Sequence, residues 1–210
     1  LMKLIKTLLT ILVISLLSSP SWSATIDDLV QREGIYYQKF NDVPFTGKLT
    51  GREQGSIENG KKEGAWIRYY ENGQLESKGN YKNAMWEGAW VWYHKTGQLQ
   101  YKNNYKNGRM EGPFIGYHEN GQLWYKENYK NGQEEGAWIS YYDNGQLWFK
   151  KNYKNGKLEG AFVWYHPNGQ LSTKGNYKND HMEGAWVGYD EKGTLESWAG
   201  TFKNSVKISD

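Results

Sequence analysis

The chain has 210 residues, a formal charge of +3, no cysteine and 16% aromatic residues. The absence of cysteine excludes disulfides, thiolate metal sites and a lipid-modified cysteine. The charge falls to +1 once Lys3 and Lys6 are set aside, which leaves no basic stripe for a phosphate backbone and argues against nucleic acid as a partner.

The first segment has its own character. Lys3 and Lys6 precede an apolar run from Leu8 to Leu17, and Ser21-Trp22-Ser23-Ala24 offers the small-x-small ending of a cleavage site. The run is short for a membrane span. Residues 1–24 therefore read as a signal peptide, and the expectation is an exported chain, periplasmic or secreted, cut near Ala24.

Residues 25–62 read as capping strands followed by a shortened unit. A hairpin within Leu29 to Phe40 turns at Glu33-Gly34, and the unit opening at Phe45-Thr46-Gly47-Lys48 ends at Asn59-Gly60. From 63 to 206 one pattern returns: Gly64, Gly88, Gly112, Gly136, Gly160 and Gly184 stand 24 residues apart, the mark of six stacked modules. Residues 207–210 are expected to fray.

Within one module, Glu111 to Glu134, two runs of aromatic and β-branched residues each close on Asn-Gly. That dipeptide supplies the two positive φ values of a type I′ hairpin turn. Asn83-Ala84 and Asn179-Asp180 keep part of that chemistry and predict looser turns. The fold class expected is all-β: an elongated, single-layer, twisted antiparallel sheet, a meander of two-stranded units.

Register follows from the turns. Around Asn120-Gly121 it pairs His118 with Leu123, Gly116 with Tyr125 and Phe114 with Glu127, and around Asn131-Gly132 it pairs Tyr129 with Glu134 and Tyr125 with Trp138. One face then gathers Trp66, Trp90, Phe114, Trp138, Phe162 and Trp186 with the repeat leucines and Tyr81, Tyr105, Tyr129, Tyr153 and Tyr177, and this face is the expected core. The other carries Ile67, Val91, Ile115, Ile139, Val163 and Val187 beside Lys78, Lys102, Lys126, Lys150 and Lys174. Gly88, Gly112, Gly136 and Gly160 are expected where a neighbouring ring covers bare backbone.

The recurring Asn-Tyr-Lys-Asn-Gly-x-x-Glu-Gly-Ala-Trp, with Asn-Gly-Gln-Leu midway, resembles the bacterial variant of the MORN repeat. The segment from Gly34-Ile35-Tyr36-Tyr37 through Val43-Pro44-Phe45-Thr46-Gly47-Lys48 is similar to the start of the YwqK family. The resemblance implies the repeat fold and two kinds of role: an antitoxin-like or immunity-like protein, or a scaffold that binds proteins or membrane surfaces.

No nucleophile elbow, zinc-protease helix or phosphate loop is present in the sequence, so the expectation is no enzyme, no cofactor, no metal and no small-molecule substrate. His94, His118 and His166 share one repeat position about 10 Å or more apart by strand spacing, too far to share a metal ion, and read as surface residues beside turns. The repeated Glu63, Glu87, Glu111, Glu135, Glu159 and Glu183 are expected to pair across the sheet with lysine or asparagine. The positions that vary between modules point to recognition instead. Trp124 and Trp148 are expected on the lysine face, Tyr101, Tyr125 and Phe149 on the aromatic face, with Trp92 and Trp164 in another variable slot. This central aromatic strip is the expected binding surface for a protein, a glycan or a cell-surface component; a charge near +1 disfavours a membrane surface.

Overall fold

The computed structural model describes residues 23–210. The expected signal peptide, 1–24, lies outside the described residues except for its last two. Ser23–Ala24 forms a short strand paired in parallel with Lys48–Leu49, and Ala24 is buried. Leu29–Arg32 and Ile35–Gln38 make the expected N-terminal hairpin, turning at Glu33 and Gly34 with φ of 49° and 80°. A short 3-10 turn, Ile26–Asp28, leads into that hairpin, and all the other strands of the described residues belong to one open, twisted, 19-stranded sheet. Its residue pairings run from Ser23–Ala24 through Gly47–Leu49 and Glu53–Glu58 into the repeats, and end at Val206–Ser209. Among the described residues no helix is long and apolar enough to cross a membrane.

Two turn chemistries alternate along the array. At Asn107-Gly108, Asn131-Gly132 and Asn155-Gly156 both residues have positive φ, the expected type I′ geometry. Asn83-Ala84 and Asn179-Asp180 adopt the same geometry and are not looser. The N–H groups of Ala84 and Asp180 donate to the Lys62 and Leu158 carbonyls at 3.0 and 3.1 Å, as Gly108 donates to Trp86 at 2.9 Å.

The mid-repeat Asn-Gly turns differ. At 72–73, 120–121, 144–145 and 168–169 only the glycine has positive φ, 81° to 83°. The asparagine Oδ1 accepts the N–H of the glutamine two residues on, at 3.0 to 3.1 Å. The loop spans three residues, closed by His118 N–H donating to the Gln122 carbonyl at 2.9 Å. A three-residue loop places an extra residue in the next strand. Gly116 still pairs with Tyr125, but Tyr117, not His118, pairs with Leu123, and Trp124 is left over as a bulge. Each repeat leucine therefore sits opposite an outer tyrosine, as in Tyr69 with Leu75 and Tyr93 with Leu99, and leaves the expected core face.

A second irregularity explains the period-24 glycines. Tyr81 pairs with Trp86 and Asn80 with Glu87, yet Lys78 pairs with Val91, so Gly88, Ala89 and Trp90 arch over Gly79. Gly88 has φ +67° with open space around its α-carbon, and Gly112, Gly136 and Gly160 are likewise left-handed and uncovered. These glycines let the strand arch. The ring-covered glycines are others: a Cβ at Gly55, Gly79 or Gly175 would fall inside the ring of Trp66, Trp90 or Trp186. The same two-residue offset pairs Tyr125 with Ser140 rather than with Trp138.

The core is the aromatic face: Trp66, Trp90 and Trp186 are buried, and edge-to-face contacts such as Trp66 with Tyr81 and Tyr81 with Trp90 link successive strands. On the other face Ile67 lies opposite Lys78, and Val91 between Lys78 and Lys102, with the lysines exposed. The sixth unit departs from the pattern. After the isolated Tyr189–Leu195 bridge the chain loops out, Trp198 covers Gly188, and Gly200–Lys203 returns with Phe202 opposite Gly184. Residues 207–210, expected to fray, are held through Ser209 by the strand Val206–Ser209 paired with Gly200–Lys203.

Gly79→Ala should lose ~1–3 kcal/mol by displacing the Trp90 ring, whereas Gly73→Ala, left-handed but in open space, should lose ~1 kcal/mol. Urea melts give the energies, and the Trp90 indole N–H resonance should move only in Gly79→Ala. Equal costs with an unmoved resonance would mean that the glycine does not seat the ring.

Candidate recognition surface

One row of paired residues crosses the aromatic face: Ser77, Trp92, Tyr101, Gly116, Tyr125, Ser140, Phe149, Trp164 and Thr173. Trp92 and Tyr101 stack with centroids 4.5 Å apart, and Tyr101 meets Phe114 at 5.5 Å. The Tyr125 ring lies over Gly116, 4.9 Å from Phe114. Phe149 and Trp164 are 5.7 Å apart. The row brings Trp92, Tyr101, Tyr125, Phe149 and Trp164 together.

Trp124 and Trp148 are not on the lysine face. Each is a bulge residue, and a bulge turns its extra side chain toward that of its neighbour. Trp124 meets Tyr125 at 5.0 Å and His118 at 5.4 Å. Trp148 meets Phe149 at 5.1 Å and Trp164 at 5.4 Å. The Ser140 hydroxyl donates to the Trp124 carbonyl at 3.0 Å and fixes the bulge. Among the described aromatic contacts none joins Trp124 to Trp148, so they flank the strip separately. Trp124 is 41% exposed and Trp164 36%.

The residue under each core ring is what sequence reasoning missed. The slot that holds Gly79 and Gly175 holds Asn103, Glu127 and Lys151 in the three central repeats. Where the preceding slot is glycine, the arched ring is buried, as at Trp66, Trp90 and Trp186. Where it is polar, the ring is only half-buried, as at Phe114, Trp138 and Phe162. Asn103 is 5% exposed and its Oδ1 has no partner. Glu127 Oε2 accepts from the Tyr129 hydroxyl at 3.1 Å. Lys151 Nζ lies 4.9 to 5.2 Å from the ring centroids of Trp138, Phe149 and Tyr153. Burial pushes the Glu127 carboxyl above the usual carboxylate range, against the Tyr129 hydrogen bond and the Lys151 charge. Burial, then the Glu127 charge, push the Tyr125 and Tyr129 hydroxyls up.

The other repeated polar residues hold repeats together. The carboxylates of Glu63, Glu87, Glu111, Glu135 and Glu159 accept the N–H of Asn83, Asn107, Asn131, Asn155 and Asn179 at 2.7 to 2.9 Å; they pair with asparagine as expected, through its backbone N–H. His94, His118 and His166 reach the carbonyls of Tyr117, Tyr141 and Tyr189 through Nε2 at 2.8 to 3.2 Å, and Tyr70 and Tyr142 make the same link with a hydroxyl. Among the described residues no group of three or more His, Cys, Asp or Glu is arranged to hold a metal ion.

The profile described as MORN repeat variant matches residues 62–83, 86–107, 110–131, 134–155 and 158–179. No curated protein matches the chain. Among solved structures, a chain of the GtfA/B complex bound to UDP and GlcNAc is similar at 20% identity over 72% of this chain and 29% of that one, with a TM-score of 0.22. This chain thus spans under a third of that protein's length, and a likeness at this level carries no argument about fold or function.

Because the Glu127 carboxyl is raised in the native state, the folded protein binds its proton more tightly than the unfolded chain. That contribution to stability is full below the ordinary carboxylate value and is lost as pH rises through the folded one. Glu127→Gln should therefore be more stable than the parent at pH 7 and show a flatter stability profile between about pH 4 and pH 7, read by urea melts across that range. A destabilised Glu127→Gln with an unchanged slope would show the carboxylate to be a favourable structural contact.

Proposed function

The chain belongs to the MORN repeat variant family, whose repeats build binding modules, and from that premise we propose that it is a non-catalytic recognition or scaffold protein engaging its partner through the aromatic strip of its central repeats. One observation carries the reading. The same aromatic face that is sealed at Trp66 and Trp186 is left half-open across the middle, where Trp124 and Trp164 are the most exposed of its rings. Exposed tryptophan set among other rings is costly in water and typical of contact hot spots.

We read the protein as exported, supported by Lys3 and Lys6 before the apolar run Leu8 to Leu17 and by Ser21-Trp22-Ser23-Ala24. An exported recognition module meets proteins, glycans and other cell-surface components. An antitoxin-like or immunity-like role is the second reading; it uses the same surface against a toxin and is favoured only by the resemblance of residues 34–48 to the YwqK start.

The array itself uses serine in both exposed slots, at Ser172 and Ser140. The double variant Trp124→Ser/Trp164→Ser should keep nearly the parent melting temperature while losing ~2 kcal/mol or more of affinity for a partner captured from a cell-envelope extract. Loss of folding would make these rings core, and undiminished capture by a folded variant would move the surface elsewhere.

A further inference from the structure

The slot beneath the arched rings reads Gly79, Asn103, Glu127, Lys151, Gly175 along the array, and only glycine there lets a ring seat fully. Three successive departures need a reason beyond folding. Asn103 is buried with no hydrogen bond to its Oδ1, a state that costs about 1–3 kcal/mol, while Glu127 and Lys151 in the same slot are only half-buried. Lys151 has no carboxylate within ion-pair distance among the described residues. The three polar residues stand two strands apart, about 10 Å by sheet spacing, in a line along the array's long axis. Beside them, in the adjoining row, run Tyr101, Tyr125 and Phe149.

We propose that this bed, the half-buried Glu127 and Lys151 flanked by Tyr101, Tyr125 and Phe149, binds an extended oligosaccharide lying across the strands. The proposal rests on reading the central strip as a recognition surface and names its ligand. Four features select a sugar chain. The rings follow one another at multiples of the ~4.8 Å strand spacing, close to the length of one pyranose unit, so successive sugars meet successive strands. Pyranose C–H faces stack on aromatic rings, while their hydroxyls both donate and accept; a carboxyl and an ammonium beside rings answer both needs. Glu127 and Lys151 cancel in charge, so the bed does not suit a polyphosphate chain. The bed is a sheet face rather than an edge, so it offers an extended peptide no backbone ladder to join.

The test uses the full chain with neutral, N-acetylated and carboxylated β-linked hexasaccharides, followed by tryptophan fluorescence and calorimetry. Asn103→Gly/Glu127→Gly/Lys151→Gly installs the residue that the array uses at 79 and 175, so it should fold with a higher melting temperature. At least one hexasaccharide should bind the parent, and its affinity for the triple variant should fall at least about tenfold. Equal binding by parent and triple variant would overturn the proposal, as would no binding of any hexasaccharide at about 1 mM. A captured protein partner that Trp124→Ser/Trp164→Ser loses, and that no hexasaccharide displaces, would overturn the sugar while leaving the recognition surface standing.

Discussion

A sheet one layer thick has no second layer to bury its apolar side against, and most of this structure follows from that constraint. The solution is to let large rings lie down along the sheet and cover one another and the backbone beneath. A tryptophan can lie flat only where the strand before it has no side chain, which is why Gly55, Gly79 and Gly175 precede the buried Trp66, Trp90 and Trp186. It can reach that position only if its own strand arches, which is why Gly64, Gly88 and Gly184 take a left-handed φ. The two glycine classes in each end repeat thus serve one ring. The indole N–H completes the arrangement: Trp90 and Trp186 donate to the Asn80 and Asn176 carbonyls at 3.0 and 3.1 Å, so the buried polar end of each ring is satisfied.

Stacking a thin sheet also leaves long rows of turn N–H and C=O groups at its two margins, and the repeat spends its other polar residues there. At one margin each Glu-Gly glutamate caps the turn of its own repeat, and the second turn residue donates back to the preceding strand, as Gly132 does to Met110 at 2.8 Å. At the other, His118 or Tyr142 crosses to the next repeat's tyrosine carbonyl, and Asn120 or Asn144 crosses to the next loop through Nδ2 at 2.9 and 3.3 Å. Histidine and tyrosine exchange freely in that slot because the contact asks only for one N–H or O–H donor at the right reach. Residues that look like a catalytic or metal-ligating series in sequence are the lateral ties of the array.

The period, the N-terminal hairpin, the type I′ turns at 107–108, 131–132 and 155–156, and the choice of aromatic face were all legible in the sequence, because each rests on local chemistry or on a count. The bulge was not. Asn-Gly reads as one signal, yet Asn107-Gly108 closes a two-residue turn and Asn120-Gly121 a three-residue loop; the difference lies in the Gln122 N–H captured by Asn120. One extra residue reversed the side of every leucine and of Trp124 and Trp148, since the strand period is 2. The glycine that always follows glutamate at period 24 was a signal for a left-handed residue, but a ring-covered glycine leaves the same letter. What separates Gly88 from Gly79 is invisible until the arch is seen.

Asn103, Glu127 and Lys151 escaped notice for a related reason: in a linear reading they are ordinary polar residues in an exposed-looking strand, and only the arch brings rings above them. Their energetic logic depends on the array. A small globular core gives up much of its stability to one unpartnered buried oxygen and one desolvated carboxyl. In a repeat stack each unit leans chiefly on its neighbours, so a local loss stays local and is offset by better-sealed units on either side. Here the well-sealed rings, Trp66 and Trp90 before the centre and Trp186 after it, bracket the half-buried Phe114, Trp138 and Phe162. The ends supply folding stability, and the middle is thereby free to keep half-buried rings over a polar floor.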